Sequence, residues 1–251
     1  MSSACNGSGE VIEPAHCLAQ LEQAVADVVE MLADAELDLP VPSCPGWTVA
    51  DLVAHLGETH LWAEHAVRAG DPDAPEPSPP RHERIALRAW YSESAEVLLA
   101  TLRATEPDTA CWTFGLRPHT ARFWFRRQAH EAAMHRWDLA AAVGRDVGYP
   151  DSLAADGVDE VVNMFFPRQV RLRRAAPLST SLAVWPDGSG RLVLAGDGTA
   201  AHPGPAAGEV SGPAEVLVLL LWGRLALDDP RIQVTGDRAA ATSVLSAGVV
   251  P

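Results

Sequence analysis

Lysine is missing altogether from this 251-residue chain, whose 19 basic residues are all arginine. Arginine codons are GC-rich and lysine codons are not, so the bias reports coding composition and carries no information about fold. Positive charge is scarce in any case. With 33 acidic residues the formal net charge is -14, which repels phosphate backbones and anionic headgroups, so nucleic acid and membrane surfaces are poor partners. Long apolar runs are missing too. The longest, Val216 to Trp222, falls far short of the ~20 residues a membrane-spanning helix needs. The segment MSSACNGSGEVIEP has no basic stretch followed by an apolar core, so residues 1–12 are expected to be a disordered leader and not an export signal. A cytoplasmic protein is the corresponding expectation. Cysteine is sparse: Cys5, Cys17, Cys44 and Cys111 contain no CxxC pair, which argues against a disulfide framework and against a cysteine zinc site. All four are expected to be reduced thiols without a nucleophilic role, although Cys44 and Cys111 each sit beside a turn.

A chain of this length can bury a substantial core in one large domain or two small ones. Residues 13–167 read as helices. Ala15 to Ala33 carries Leu18, Leu21, Val25, Val28 and Leu32 at three- and four-residue spacing, an amphipathic stripe. Past the Pro-rich turn of Pro40 to Pro45, Thr48 and Asp51 can cap a second helix running to about Arg68. DPDAPEPSPP, from Asp71 to Pro80, can only be a loop between antiparallel helices. Further helices are expected over Glu83 to Ala104, Thr120 to Val143 and Asp151 to Phe165, which together argue for an up-and-down bundle. From about Arg168 the pattern changes. Leu178 to Trp185 and Arg191 to Ala195 alternate around the turn sequence PDGSG, a hairpin signal. A short strand over Glu209 to Ser211, an apolar helix to Leu225, a strand over Ile232 to Val234 and a last helix over Arg238 to Ala247 complete a small α+β domain, residues 168–251.

One constellation carries chemistry. In RRQAHEAAMHRWDLA, residues 126–140, Glu131 and His135 stand at i and i+4 and leave the same helix face. His130 and His135 are one residue too far apart to share a face, so the string fails as an H-E-x-x-H protease motif. On the second helix His55 falls on the apolar face with Leu52, Leu56 and Thr59, whereas His60 lies roughly 140° around the helix and faces elsewhere. Two imidazoles and a carboxylate suit zinc, and three protein ligands leave a coordination position open. The competing reading is a core histidine bonded to a carbonyl and a solvated i,i+4 pair. A bundle that brings His55 against Glu131 and His135 favours the metal.

The segments CPGWTVADLVAHL, HEAAMHRWD and VLLLWGR resemble the mycothiol-dependent maleylpyruvate isomerase family, and the likeness extends over nearly the whole chain after the leader. It implies a DinB-like four-helix bundle followed by a small α+β domain. It also implies a metal held by the histidine of W-T-x-x-D-L-x-x-H and by an E-x-x-x-H pair, which are His55, Glu131 and His135 here. A bound Zn2+ would lower the pKa of the thiol of mycothiol, and the thiolate would add to an activated alkene. Rotation and elimination would make the enzyme a cis–trans isomerase of a maleylpyruvate-like compound; retention of the sulfur would make it an S-transferase.

Other residues support smaller readings. Asp51 and Asp138 can orient His55 and His135, or act as a helix cap and a surface ion pair. Trp47, Trp62, Trp112, Trp124 and Trp137 are expected in the core. Arg224, ending an apolar segment, suits a catalytic role of binding a substrate carboxylate across a domain cleft, with a structural ion pair as the equal alternative. The arginines of Arg168 to Arg174 read as a solvated linker face. Two function classes follow: a metal- and thiol-dependent enzyme whose partners are a low-molecular-weight thiol and a small electrophile, and a non-catalytic scaffold that retains the bundle.

Overall fold

The computed structural model describes residues 12–74, 76–199 and 204–251. The expected leader lies outside them except for Ile12, as does Cys5. The chain divides between Tyr149 and Pro150 into a helical unit and a mixed one.

The helical unit contains α1 (Pro14–Met31), α2 (Val49–Ala69), α3 (Arg84–Ala104) and α4 (Arg122–Ala142). Pro14 opens α1 with its ring in the first turn, where a missing N–H costs nothing. Helix α2 begins with a complete capping box: Thr48 accepts from the Asp51 N–H, and Asp51 accepts from the Thr48 N–H at 3.0 Å. Gly70, left-handed at φ 70°, ends it. Packing runs chiefly α1 on α4 and α2 on α3, and the bundle is closed by α2 on α4 and α1 on α3. Helix α2 is therefore flanked by α3 and α4, which accounts for its buried residues on more than one side. At Gly57 the α3 residue Trp90 lies so close that a Cβ would stand 2.3 Å from its ring, so any larger residue there would have to displace that ring. The core below the eventual site gathers Leu52, Leu56, Leu87, Tyr91 and Leu139, all fully buried. Buried apolar area of this kind, at roughly 25 cal/mol per Å2, is what holds such a bundle together.

The mixed unit starts earlier than expected. The helix read over Asp151 to Phe165, assigned from sequence to the bundle domain, packs instead against the apolar helix of the second unit. It is also longer. Helix α5 (Asp151–Glu160) runs through a π-helical turn (Val161–Phe165) into α6 (Phe166–Arg171). It runs past the expected end at Phe165 because the wider turn, with the Phe166 N–H bonded to Val161 O, makes room for the ring of Pro167. Strands β1 (Leu178–Pro186), β2 (Leu192–Gly196), β3 (Gly208–Gly212) and β4 (Gln233–Gly236) form one sheet in the order β2-β1-β3-β4. β1 pairs antiparallel with β2, as the hairpin signal requires, and parallel with β3; β3 pairs antiparallel with β4. Helices α7 (Ala214–Leu221) and α8 (Arg238–Leu245) pack on this sheet. α7 stops short of the expected Leu225 because Gly223, at φ 71°, closes it. The Arg224 N–H then bonds back to Leu219 O at 2.8 Å. No helix among the described residues is long and apolar enough to cross a membrane.

Candidate metal centre

Helices α2 and α4 face each other with His55 on one and Glu131 and His135 on the other. Their donor atoms lie within 4.8 Å of one another. His55 Nε2 is 3.1 Å from Glu131 Oε1, and His135 Nε2 is 3.4 Å from the same oxygen. The three side chains expected from spacing are thus brought together. His55 is not sunk in the apolar core, as its helical face suggested: its side chain is 33% exposed and forms the open rim of the site. His60 takes the core position instead. It is fully buried, with Nδ1 2.7 Å from Gln128 Oε1 on α4. His130 points away, with Nδ1 2.9 Å from the Tyr149 hydroxyl.

The surroundings fix the donors. His135 donates its Nδ1 proton to Asp138 Oδ2 at 2.9 Å, which leaves Nε2 free to face His55 and Glu131. Asp138 is fully buried and is held on its other oxygen by Ser43 Oγ at 2.5 Å, while Cys44 Sγ stands 3.6 Å from Oδ2. Of the two candidate orienting aspartates, then, Asp138 contacts a site histidine. Asp51 does not; it caps α2 and pairs with Arg81 at 3.2 Å. Arg127, one turn before Glu131, donates to Glu131 Oε2 at 3.0 Å. Trp47 lies over both imidazoles, its ring centroid 4.9 Å from that of His55 and 6.1 Å from that of His135. This tryptophan is partly buried against the core of the helical unit and borders the site as well, whereas Trp124 is fully buried and packs with Trp62, Trp112, Phe114 and Phe123.

Electrostatics follow the geometry. Burial opposes the ionised form of Glu131, but the His135 and His55 hydrogen bonds and the Arg127 charge outweigh it and hold the carboxyl well below its ordinary range. Burial likewise opposes a charged His135, and the bonds to Asp138, Cys44 and Glu131 carry it well above the ordinary histidine value. One anionic oxygen flanked by two imidazole nitrogens is a donor set that fits a divalent ion of borderline softness. A second convergent group, Cys44, His135 and Asp138, shares His135. Its Nδ1 and both Asp138 oxygens are already bonded within the protein, so the first group is the better cation site.

Ser43, Arg127 and Trp47 were not singled out as site residues by spacing. Ser43 reaches Asp138 across 95 residues of sequence, and no local pattern encodes such a contact. Arg127 had a visible signal, the i,i+4 step to Glu131. In the mixed unit, Arg224 Nη1 donates to Trp222 O at 2.8 Å and its guanidinium lies 5.8 Å from the centre of the Trp222 ring. Among the described residues no two cysteines are joined in a disulfide; Cys17 is buried, and Cys44 and Cys111 are partly so.

Residues 18–140 match the model of the mycothiol maleylpyruvate isomerase N-terminal domain, and residues 152–243 that of the MDMPI C-terminal domain. Among solved structures, the chain is similar to the mycothiol-dependent maleylpyruvate isomerase at 18% identity and a TM-score of 0.60, over 89% of this chain and 93% of that one. It is similar to a histidine-to-alanine mutant of that enzyme at 16% identity and a TM-score of 0.62, with the same coverage. At such identities the likeness is one of fold. No curated protein matches the sequence. On the two domain matches, in this order and over most of its length, the chain belongs to the mycothiol-dependent maleylpyruvate isomerase family.

Proposed function

We propose that this protein is a metal- and mycothiol-dependent enzyme that adds the thiol to a small activated alkene, either to isomerise a maleylpyruvate-like compound or to leave the sulfur on the product. The observation that carries the reading is the convergence of His55, Glu131 and His135 within 4.8 Å at a solvent-reaching rim. These residues would hold one divalent ion, zinc by the chemistry of the donors. Bound there, the ion supplies a Lewis acid that lowers the pKa of a sulfur ligand toward neutrality.

The protein's own groups do the rest. Asp138 keeps the His135 proton on Nδ1, so Nε2 faces the other donors. Trp47 lies against both imidazoles on one side. The charged forks of arginine suit an anionic substrate, and Arg224 is the candidate for its carboxylate. Addition forms a C–S bond as the alkene π pair moves onto the conjugated carbonyl. Rotation about the former double bond and loss of the sulfur give the isomer; uptake of a proton in place of that loss gives the thioether.

Incubation with mycothiol and a panel of activated alkenes that includes maleylpyruvate, read by mass spectrometry and NMR, tests the proposal. Thiol-dependent isomer or thioether is expected. Metal-loaded protein that turns over none of the panel would instead favour a non-catalytic scaffold.

A further inference from the structure

An arginine is costly to bury unless its charge is matched, and Arg127 on α4 is only 3% exposed. Its Nη2 donates to Glu131 Oε2 at 3.0 Å. The other oxygen of that carboxylate, Oε1, is the atom faced by both His55 Nε2 and His135 Nε2, at 3.1 and 3.4 Å. The two oxygens are therefore divided, one for the guanidinium and one for the imidazoles. The division follows from the helix itself: Arg127, Glu131 and His135 stand at successive four-residue steps, so each side chain meets the next along one stripe.

We infer that Arg127 is a positioning residue that reserves Oε2 and makes Glu131 a one-oxygen ligand, keeping a coordination position open for the incoming sulfur. The inference rests on the metal reading above. A carboxylate beside a divalent ion can offer one oxygen or both, and with two imidazoles already present the second oxygen would take the position that substrate needs. A charge-assisted bond from a buried guanidinium is among the stronger ways to hold that oxygen elsewhere. It also offsets the charge of Glu131, so the ion keeps more of its own positive charge for the sulfur. A purely structural ion pair would be satisfied by either oxygen and would leave the metal's coordination unchanged when removed.

Zinc-edge X-ray absorption of the wild-type protein reads the coordination directly. One carboxylate oxygen at about 2.0 Å, beside two imidazoles, is expected; two carboxylate oxygens on the ion would overturn the inference. The cobalt-substituted protein gives the second reading. Wild type should show the intense visible bands of a four-coordinate ion, and Arg127→Met the weaker bands of a five-coordinate one. Should that variant not fold, Arg127→Ala, which carries no donor for Oε2, is read in the same way. A variant that binds cobalt with the wild-type spectrum contradicts the role given to Arg127. Wild-type protein that takes up neither metal contradicts the metal reading itself, so the two failures are told apart.

Discussion

The bond from His135 Nδ1 to Asp138 Oδ2, 2.9 Å long and closed off from solvent on the aspartate side, decides which nitrogen of the imidazole faces the site. Asp138 is itself clamped by Ser43 at 2.5 Å, so the imidazole, the carboxylate and the loop before α2 form one connected support. Removing such a partner behind a metal-bound histidine weakens metal binding by roughly 10- to 100-fold. Asp138→Ala is therefore expected to lose affinity by about that factor in a chelator competition titration, and Ser43→Ala to lose less. Wild-type affinity in Asp138→Ala would mean that the bond is structural only.

A second prediction concerns acid stability. Burial, working against the charged form and only partly offset by the Gln128 bond, holds the His60 pKa down to about 4, well below the ordinary histidine value of 6.5. Below pH 6.5 the unfolded chain takes up a proton on this residue that the folded chain refuses until about pH 4. Stability is thus fully present above 6.5 and falls as the pH drops through that window, by about 3 kcal/mol in all at ~1.4 kcal/mol per pH unit. Urea unfolding of metal-free protein between pH 7 and pH 4 should show this slope, and His60→Gln should lose this part of it. Identical slopes for the two proteins would contradict the burial of a neutral imidazole.

The third prediction concerns Arg224. Losing a charged hydrogen bond to a substrate carboxylate costs about 1.5–3 kcal/mol, or roughly tenfold or more in turnover. Arg224→Met is expected to lower kcat/KM for anionic alkenes by that factor, to affect neutral ones less, and to leave metal content unchanged. Equal loss for charged and neutral substrates would assign the residue to the fold, through contacts such as its bond to Trp222 O.

Much of this architecture is written locally. Thr48 and Asp51 announce the start of α2, and the PDGSG turn announces the β1–β2 hairpin, because caps and tight turns are made by neighbours in sequence. The helix expected to end at Phe165 instead continues through Pro167, because the π-helical turn before that residue makes room for a ring that a regular helix interior would not accept. The domain boundary moved with it, since whether α5 packs with α7 or with the bundle is decided by contacts that no local pattern carries.

The candidate site divides likewise. Helical periodicity marks Glu131 and His135 as a pair and puts His55 on the apolar face of α2, and the family resemblance points to the same three residues. The period also turned His60 away from the His55 face, but its burial depends on α2 being flanked by both α3 and α4. The clamp of Ser43 on Asp138 and the cover of Trp47 depend on how the loop before α2 lies against α4, which spacing does not encode.

The central claim is that His55, Glu131 and His135 hold one divalent ion, and metal analysis of protein purified without a histidine tag tests it most directly. About one equivalent per chain is expected in the wild type. His55→Ala should lose most of it, whereas His130→Ala should retain it, because His130 is turned away and bonded to Tyr149 at 2.9 Å. Equal metal content in the two variants, or none in the wild type, would contradict the account.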